Sequence, residues 1–258
     1  MFGEVMLTIL WVVLGILGGI VALVVLWLLF AWVLGLFVSK TKEYRTRNKF
    51  YCWVFNVSLF AALMIARVKV HVEGEEKLPK DVKFLMVSNH VSNFDSLATS
   101  KAFVKYKIGV ISKPSNFKVP FFGRMTRRCC YYPIDRENAR NAVKTINLAA
   151  DVIKNDQSSI LVYPEGTRNK SAKGLLPFHN SVFKVAQKAA CPIVVITVRN
   201  SETVHKRTPF KRSHVYVKVL EVISAEEAVT RTADTGARVE ALMRADEEAW
   251  LASKEVQS

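Results

Sequence analysis

The chain has 258 residues, and its 37 Lys and Arg against 22 Asp and Glu give a formal net charge of +15. That length suits one folded domain with an additional segment, and the basic excess implies an anionic partner: nucleic acid, anionic lipid or a phosphate-bearing substrate. Nucleic acid is set aside, because the chain carries a long apolar stretch and no helix-turn-helix, zinc-finger or RNA-binding signature. Cys52, Cys129, Cys130 and Cys191 show neither metal-ligand spacing nor a disulfide framework. They read as reduced, mostly buried thiols of a cytosolic domain rather than as nucleophiles.

From Val5 to Val38 the chain carries no charge. This is longer than the ~20 residues that cross a hydrocarbon core. The start holds Glu4 and no Lys or Arg, unlike a cleaved signal peptide. Lys40, Lys42, Arg45, Arg47 and Lys49 follow, with Glu43 among them, and the positive-inside rule puts this side in the cytoplasm. A second apolar stretch, 50–66, contains Asn56 and Ser58. It is read as an interfacial or re-entrant helix packed on the domain, with a second span as the alternative. The expected organisation is therefore a transmembrane anchor at 1–39, a basic loop and interfacial helix at 40–67, and a folded domain at 68–258.

Within that domain short apolar runs alternate with helical patterns. Strands are predicted at Val68–Val72, Phe84–Val87, Ile108–Ile111, Cys130–Ile134, Ile160–Tyr163, Ile193–Val198 and Val215–Val219. Helices are predicted at Phe94–Lys105, Asn138–Lys154 and Phe178–Ala189, with a short basic helix or loop at Val119–Arg128. Ser224-Ala225-Glu226-Glu227 is a capping box opening a long C-terminal helix. The alternation predicts an α/β fold, a mainly parallel sheet flanked by helices, preceded by the transmembrane and interfacial segment.

Two segments carry the chemistry. Asn89-His90-Val91-Ser92-Asn93-Phe94-Asp95 places an imidazole and a carboxylate at H-x4-D spacing just after an apolar strand. His71 and Glu76 share that spacing but lie in a polar stretch. A His at a strand end sits at a loop mouth, where α/β folds place catalytic groups. His90 suits a general base and Asp95 the carboxylate that orients it. The other readings are that Asp95 caps the following helix, or that Ser92 is a nucleophile, although no G-x-S-x-G elbow is present. The second segment, Tyr163-Pro164-Glu165-Gly166-Thr167-Arg168, ends a strand with a carboxylate, a flexible glycine and a guanidinium suited to phosphate. A tight turn with a surface ion pair is the alternative there. Lys113, Arg124, Arg127, Arg128 and Arg136 form a basic group between the two segments.

These segments resemble the glycerolipid acyltransferase family, the 1-acyl-sn-glycerol-3-phosphate acyltransferases. Asn89-His90 with Ser92 and Asp95 matches its N-H-x-S-x-x-D block, in which the His and Asp are catalytic. Lys113, Pro120 and Gly123, followed by Ile134-Asp135-Arg136, look like its second block, and Pro164-Glu165-Gly166-Thr167-Arg168 matches its third, P-E-G-T-R. Lys173-Gly174-Leu175-Leu176-Pro177-Phe178 continues that block. The fourth matches in part: Pro192-Ile193-Val194 is present, but Val195 replaces a second proline, and His179-Asn180-Ser181 stands where K-x-G is usual. The resemblance implies a membrane-bound acyltransferase at 68–258 that acylates the sn-2 hydroxyl of lysophosphatidate to give phosphatidate. His90 and Asp95 would be catalytic, and Lys113, Arg136, Glu165, Gly166, Thr167 and Arg168 would bind the acceptor. Other acceptors, such as glycerol-3-phosphate or another lysophospholipid, remain open, as does a non-catalytic binder of anionic lipid. The implied partners are a phospholipid membrane and acyl-CoA or acyl-carrier protein as donor, with no cofactor and no metal. Because such donors are cytosolic, the domain is expected on the cytoplasmic side of the membrane.

Overall fold

A computed structural model describes residues 2–135, 137–171 and 174–255. Its helices are α1 (Phe2–Leu36), α2 (Lys49–Ile65), α3 (Phe94–Ala102), α4 (Ala139–Lys154), α5 (Lys184–Ala189), α6 (Val204–Arg207), α7 (Ala225–Ala228) and α8 (Thr232–Glu255). Its strands are β1 (Val68–Glu73), β2 (Leu85–Ser88), β3 (Ile108–Ser112), β4 (Tyr132–Pro133), β5 (Ser159–Val162), β6 (Ile193–Arg199) and β7 (Ser213–Ile223).

The strands form one sheet in the order β1-β7-β6-β2-β5-β3-β4. From β6 across to β4 every neighbour is parallel; β7 runs antiparallel to β6, and β1 parallel to β7. The parallel strands β2 and β5 are buried at every position. Their unbroken apolar runs are what a strand covered on both faces requires. In β7, by contrast, Val215, Val217 and Val219 point into the core and alternate with less buried neighbours. One core lies between the sheet and α4, α5 and α8, holding Leu85, Ile153, Phe183 and Met243; the other lies beneath α2 and α3, holding Phe84, Met86, Phe103 and Val217. The result is the expected mainly parallel α/β sandwich.

Some boundaries differ from the sequence reading. The strand expected at Cys130–Ile134 shrinks to Tyr132–Pro133, because Cys130 adopts a left-handed backbone with φ 62°. The helix expected from Phe178 starts as a 3-10 turn at Asn180 and becomes α-helical only at Lys184. The Ser224 capping box is present, but the helix it opens ends at Ala228 and the long helix restarts at Thr232.

Helix α2 has two apolar faces. Leu59 and Leu63 are buried in the same core as Val68 and Phe84. Burial of that kind is worth about 1.5–3 kcal/mol per side chain, which makes α2 an integral part of the domain. Phe50, Trp53, Val57, Phe60 and Met64 form an exposed stripe at three- and four-residue spacing. The end of α1 packs against α2: Ala31 is buried with Val54, and the Trp27 indole donates to Ser58 Oγ at 2.9 Å. From Phe2 to Leu26, α1 is exposed all round. That part is about 37 Å long at 1.5 Å per residue, against a hydrocarbon core of about 30 Å. Among the described residues, α1 is the helix long and apolar enough to cross a membrane.

Candidate active site

The parallel strands deliver their C-terminal ends to one edge of the sheet, where open α/β sheets hold ligands. As β2 leaves the sheet, the buried Asn89 side chain takes the place of another strand residue. Its Nδ2 donates to the Val198 carbonyl at 3.0 Å, and its Oδ1 accepts from Val198 N–H at 2.8 Å. This anchors the base of the loop that carries His90. The loop then turns back so that Asp95, in the first turn of α3, faces the residues preceding that helix.

Asp95 is fully buried. Its Oδ2 accepts from His90 Nδ1, Val91 N–H and Ser92 N–H, each at 2.8 Å, and its Oδ1 accepts from the Ser201 hydroxyl. The carboxylate therefore organises the His loop instead of capping α3, whose N-cap is Asn93. Ser92 Oγ accepts from Phe94 N–H at 3.2 Å, a local turn bond, and makes no hydrogen bond to the His90 ring among the described residues. The nucleophile reading of Ser92 has no geometric support.

With Nδ1 given to Asp95, Nε2 is left as the acceptor of the neutral imidazole. No described residue bonds it, and the His90 side chain keeps 19% of its surface exposed. The ring lies flat on Tyr163, centroids 4.1 Å apart and planes 19° from parallel. Burial, with the Asp95 charge adding to it, pushes the Tyr163 phenol well above its ordinary pKa. Tyr163 thus stays neutral and serves as a floor that holds the imidazole plane. Such a His–Asp pair, with one ring nitrogen fixed and the other open, has the geometry that general-base chemistry requires.

The segment after β5 locks onto this loop. Glu165 is 2% exposed. Its two oxygens accept from His90 N–H at 2.8 Å and Leu176 N–H at 3.0 Å. A second tie runs from Asn169 N–H to the His90 carbonyl at 2.7 Å. Burial raises the Glu165 pKa, opposed by these two amide bonds. The structure thus gives Glu165 a contact that the sequence reading, which expected it to bind the acceptor, did not foresee: each of its oxygens accepts from a backbone N–H. Gly166 sits at φ 73°, in the left-handed region, where the chain turns back toward Tyr163. Beyond that turn Thr167 and Arg168 are exposed, and Arg168 has no ion pair among the described residues.

Lys113 is exposed directly after β3. Arg136 and Lys173 lie outside the described residues. Two other cations of the basic group are engaged by rings: Arg127 stands 4.8 Å from the Phe117 centroid, and Arg128 4.4 Å from that of Tyr44. They brace the loop and α2. A Cβ on Gly123 would stand 2.6 Å from the Val119 carbonyl oxygen, so this glycine serves close backbone approach. A polar cavity of roughly 100 Å³ opens on the α8 side of the loop, between Asn89, Glu165, Arg199, Glu247 and Trp250. It has room for a few waters, and His90 does not line it.

Sequence reasoning missed Asn89's bridging amide, Tyr163's stacking, Asn169's amide and Ser201. Tyr163 adjoins the third motif and could have been suspected; Ser201 is far from both motifs and only the fold brings it to Asp95.

Comparison with known proteins identifies the family. The family described as Acyltransferase matches residues 69–199, a span that includes both motifs. The chain belongs to that family. A 1-acyl-sn-glycerol-3-phosphate acyltransferase of Saccharomyces cerevisiae is 33% identical over 160 residues, 61% of this chain and 52% of the relative. The Haemophilus influenzae protein of the same name is 34% identical over 47% of this chain and 52% of its own length. The chain spans about half the length of the curated relatives it matches. The crystal structure of the 1-acyl-sn-glycerophosphate (LPA) acyltransferase PlsC from Thermotoga maritima superposes with a TM-score of 0.58 at 23% identity, covering 84% of this chain and 88% of that one. At that identity the likeness establishes the fold.

Proposed function

We propose that the chain transfers a fatty acyl group from a thioester, acyl-CoA or acyl-carrier protein, to the sn-2 hydroxyl of lysophosphatidate, giving phosphatidate. The observation that carries this reading is the His90–Asp95 pair, joined at 2.8 Å through Nδ1 with Nε2 open to a substrate. In this mechanism His90 Nε2 takes the hydroxyl proton as the alkoxide oxygen attacks the thioester carbonyl. Asp95 stabilises the imidazolium that forms. Collapse of the tetrahedral intermediate breaks the C–S bond, and the imidazolium proton goes to the departing thiolate. Atoms balance with no covalent acyl-enzyme, in keeping with Ser92's bond to Phe94 N–H. Exposed Arg168 and Lys113 are the groups assigned to the acceptor phosphate, with Arg136 as a third from its sequence position. Glu165 is assigned to holding the His90 loop.

The names of the relatives support lysophosphatidate as acceptor. The membrane setting is supported by α1, and the cytoplasmic orientation by the basic stretch after it. The packing of α2's inner face on the domain supports a domain on the same side as residues 40–49. The test is an acceptor panel: purified protein, one acyl-CoA or acyl-carrier protein, and lysophosphatidate, glycerol-3-phosphate or another lysophospholipid, with products read by mass spectrometry. Phosphatidate from wild type and none from His90→Ala supports the reading. Preferred turnover of another acceptor replaces the substrate, and no transfer to any acceptor by folded protein leaves a lipid binder.

A further inference from the structure

Between β6 and β7 the chain runs through a segment that the catalytic reading does not use, His205-Lys206-Arg207-Thr208-Pro209-Phe210-Lys211-Arg212. Val204 anchors it in the core, and all of 205–212 except the half-buried Thr208 is exposed. No acidic residue occurs between Glu202 and Glu221. Lys206, Arg207, Lys211 and Arg212 form no ion pair with a described carboxylate. Phe210, at their centre, is 84% exposed. A lone exposed phenylalanine is ordinary; its placement here is what matters.

Two hydrogen bonds stitch the segment to the end of α2. Arg67 Nη1 donates to the Phe210 carbonyl at 3.1 Å and Ser213 N–H to the Arg67 carbonyl at 3.1 Å, while the Thr208 hydroxyl, which donates to the Val204 carbonyl at 2.8 Å, lies 3.4 Å from the Ala66 carbonyl. At that end the outward apolar stripe of α2 finishes with Met64, 73% exposed, and Ile65, 60% exposed. Phe210 and its four cations therefore continue a surface that is already apolar and unpartnered. An aromatic side chain surrounded by lysines and arginines matches the interface of an anionic bilayer, where the ring lies among the upper acyl chains and the cations among the phosphates. An acidic protein or nucleic acid would account for the charge but not for the continuity with α2.

We propose that residues 205–212 are a second membrane-docking site, with Phe210 in the interface and Lys206, Arg207, Lys211 and Arg212 on anionic lipid headgroups. This rests on the reading of α1 and α2 as membrane helices. The site adjoins the chemistry, because Ser201, just before α6, donates to Asp95 Oδ1. Docking there would hold the catalytic edge of the sheet close to the lipid surface.

The test uses the full chain in vesicles, with Phe210→Cys carrying an environment-sensitive fluorophore; the native cysteines are all buried. Leu23→Cys reports on α1, and the exposed Val229→Cys serves as a control away from this segment. In phosphatidylcholine vesicles containing phosphatidylglycerol, the label at 210 should shift to the blue and be quenched by brominated acyl chains, with that at 229 remaining aqueous. Changing the four cations to serine should lower the docked-to-undocked ratio roughly fivefold per charge. An aqueous label at 210 beside a quenched label at 23 overturns the docking site and leaves the α1 reading intact; aqueous labels at both overturn both. Equal quenching in phosphatidylcholine alone overturns the headgroup contact. A response to a soluble oligonucleotide or acidic polypeptide but not to vesicles reassigns the surface to another polyanion and overturns the proposal.

Discussion

Replacing Glu165 with Gln separates the two uses to which this carboxylate has been put. Its oxygens accept one backbone N–H each, 2.8 Å from His90 N and 3.0 Å from Leu176 N. Glutamine keeps one acceptor and turns an NH2 group toward the other amide, leaving two donors face to face in a buried site. An unsatisfied buried donor costs about 1–3 kcal/mol, so Glu165→Gln should lower Tm by several degrees in detergent. The expected pH dependence follows from burial, which raises the Glu165 pKa above 4.5. Stability from such a group is fully present below 4.5 and is lost as pH rises through the folded-state value. The variant lacks this titration, so its deficit should be widest in acid and narrow toward neutral pH. Turnover should fall as well, by up to about 100-fold, because the lost bond holds the backbone of His90 and small displacements of a base are expensive in rate. Thermal unfolding at several pH values, with kcat and acceptor KM per folded molecule, is the assay. An unchanged Tm with a raised acceptor KM and normal kcat would refute the positioning role and return Glu165 to the acceptor.

Three further outcomes are expected. His90→Ala should reduce transfer roughly 10²–10⁴-fold with folding intact; near-normal turnover of well-folded protein would remove the general-base mechanism. Asp95→Asn should lose both turnover and stability, since one of its two carboxylate oxygens becomes an NH2 facing the amides of Val91 and Ser92 or the Ser201 hydroxyl. A stability loss with unchanged kcat per folded molecule would make Asp95 purely structural. Arg168→Ala should raise acceptor KM far more than donor KM, with Arg168→Lys recovering part of the loss; unchanged affinity for a phosphate-bearing acceptor analogue would shift the phosphate contact toward Lys113 and Arg136.

Much of this protein is written in local patterns. Unbroken apolar runs mark β2 and β5 as buried parallel strands, alternation in β1 and β7 marks strands nearer the sheet's margin, and a charge-free run of membrane length marks α1. These features depend on near neighbours in sequence, so composition and period suffice to find them. The H-x4-D spacing likewise brings His90 and Asp95 together through one tight loop. The uses of the remaining groups depend on residues distant in the chain. Asp95 receives Ser201 only because β6 lies beside β2 in the sheet, and His90 rests on Tyr163 only because β5 lies on the other side. Glu165 reads as an acceptor ligand, or as a surface ion-pair partner, until the fold buries it against His90 N–H, and Arg128 as one of a basic group until it meets Tyr44. Sequence period determines which face of an element is apolar; strand order determines which polar groups meet once those faces are buried, because a buried donor or acceptor must take whatever partner the neighbouring strand supplies.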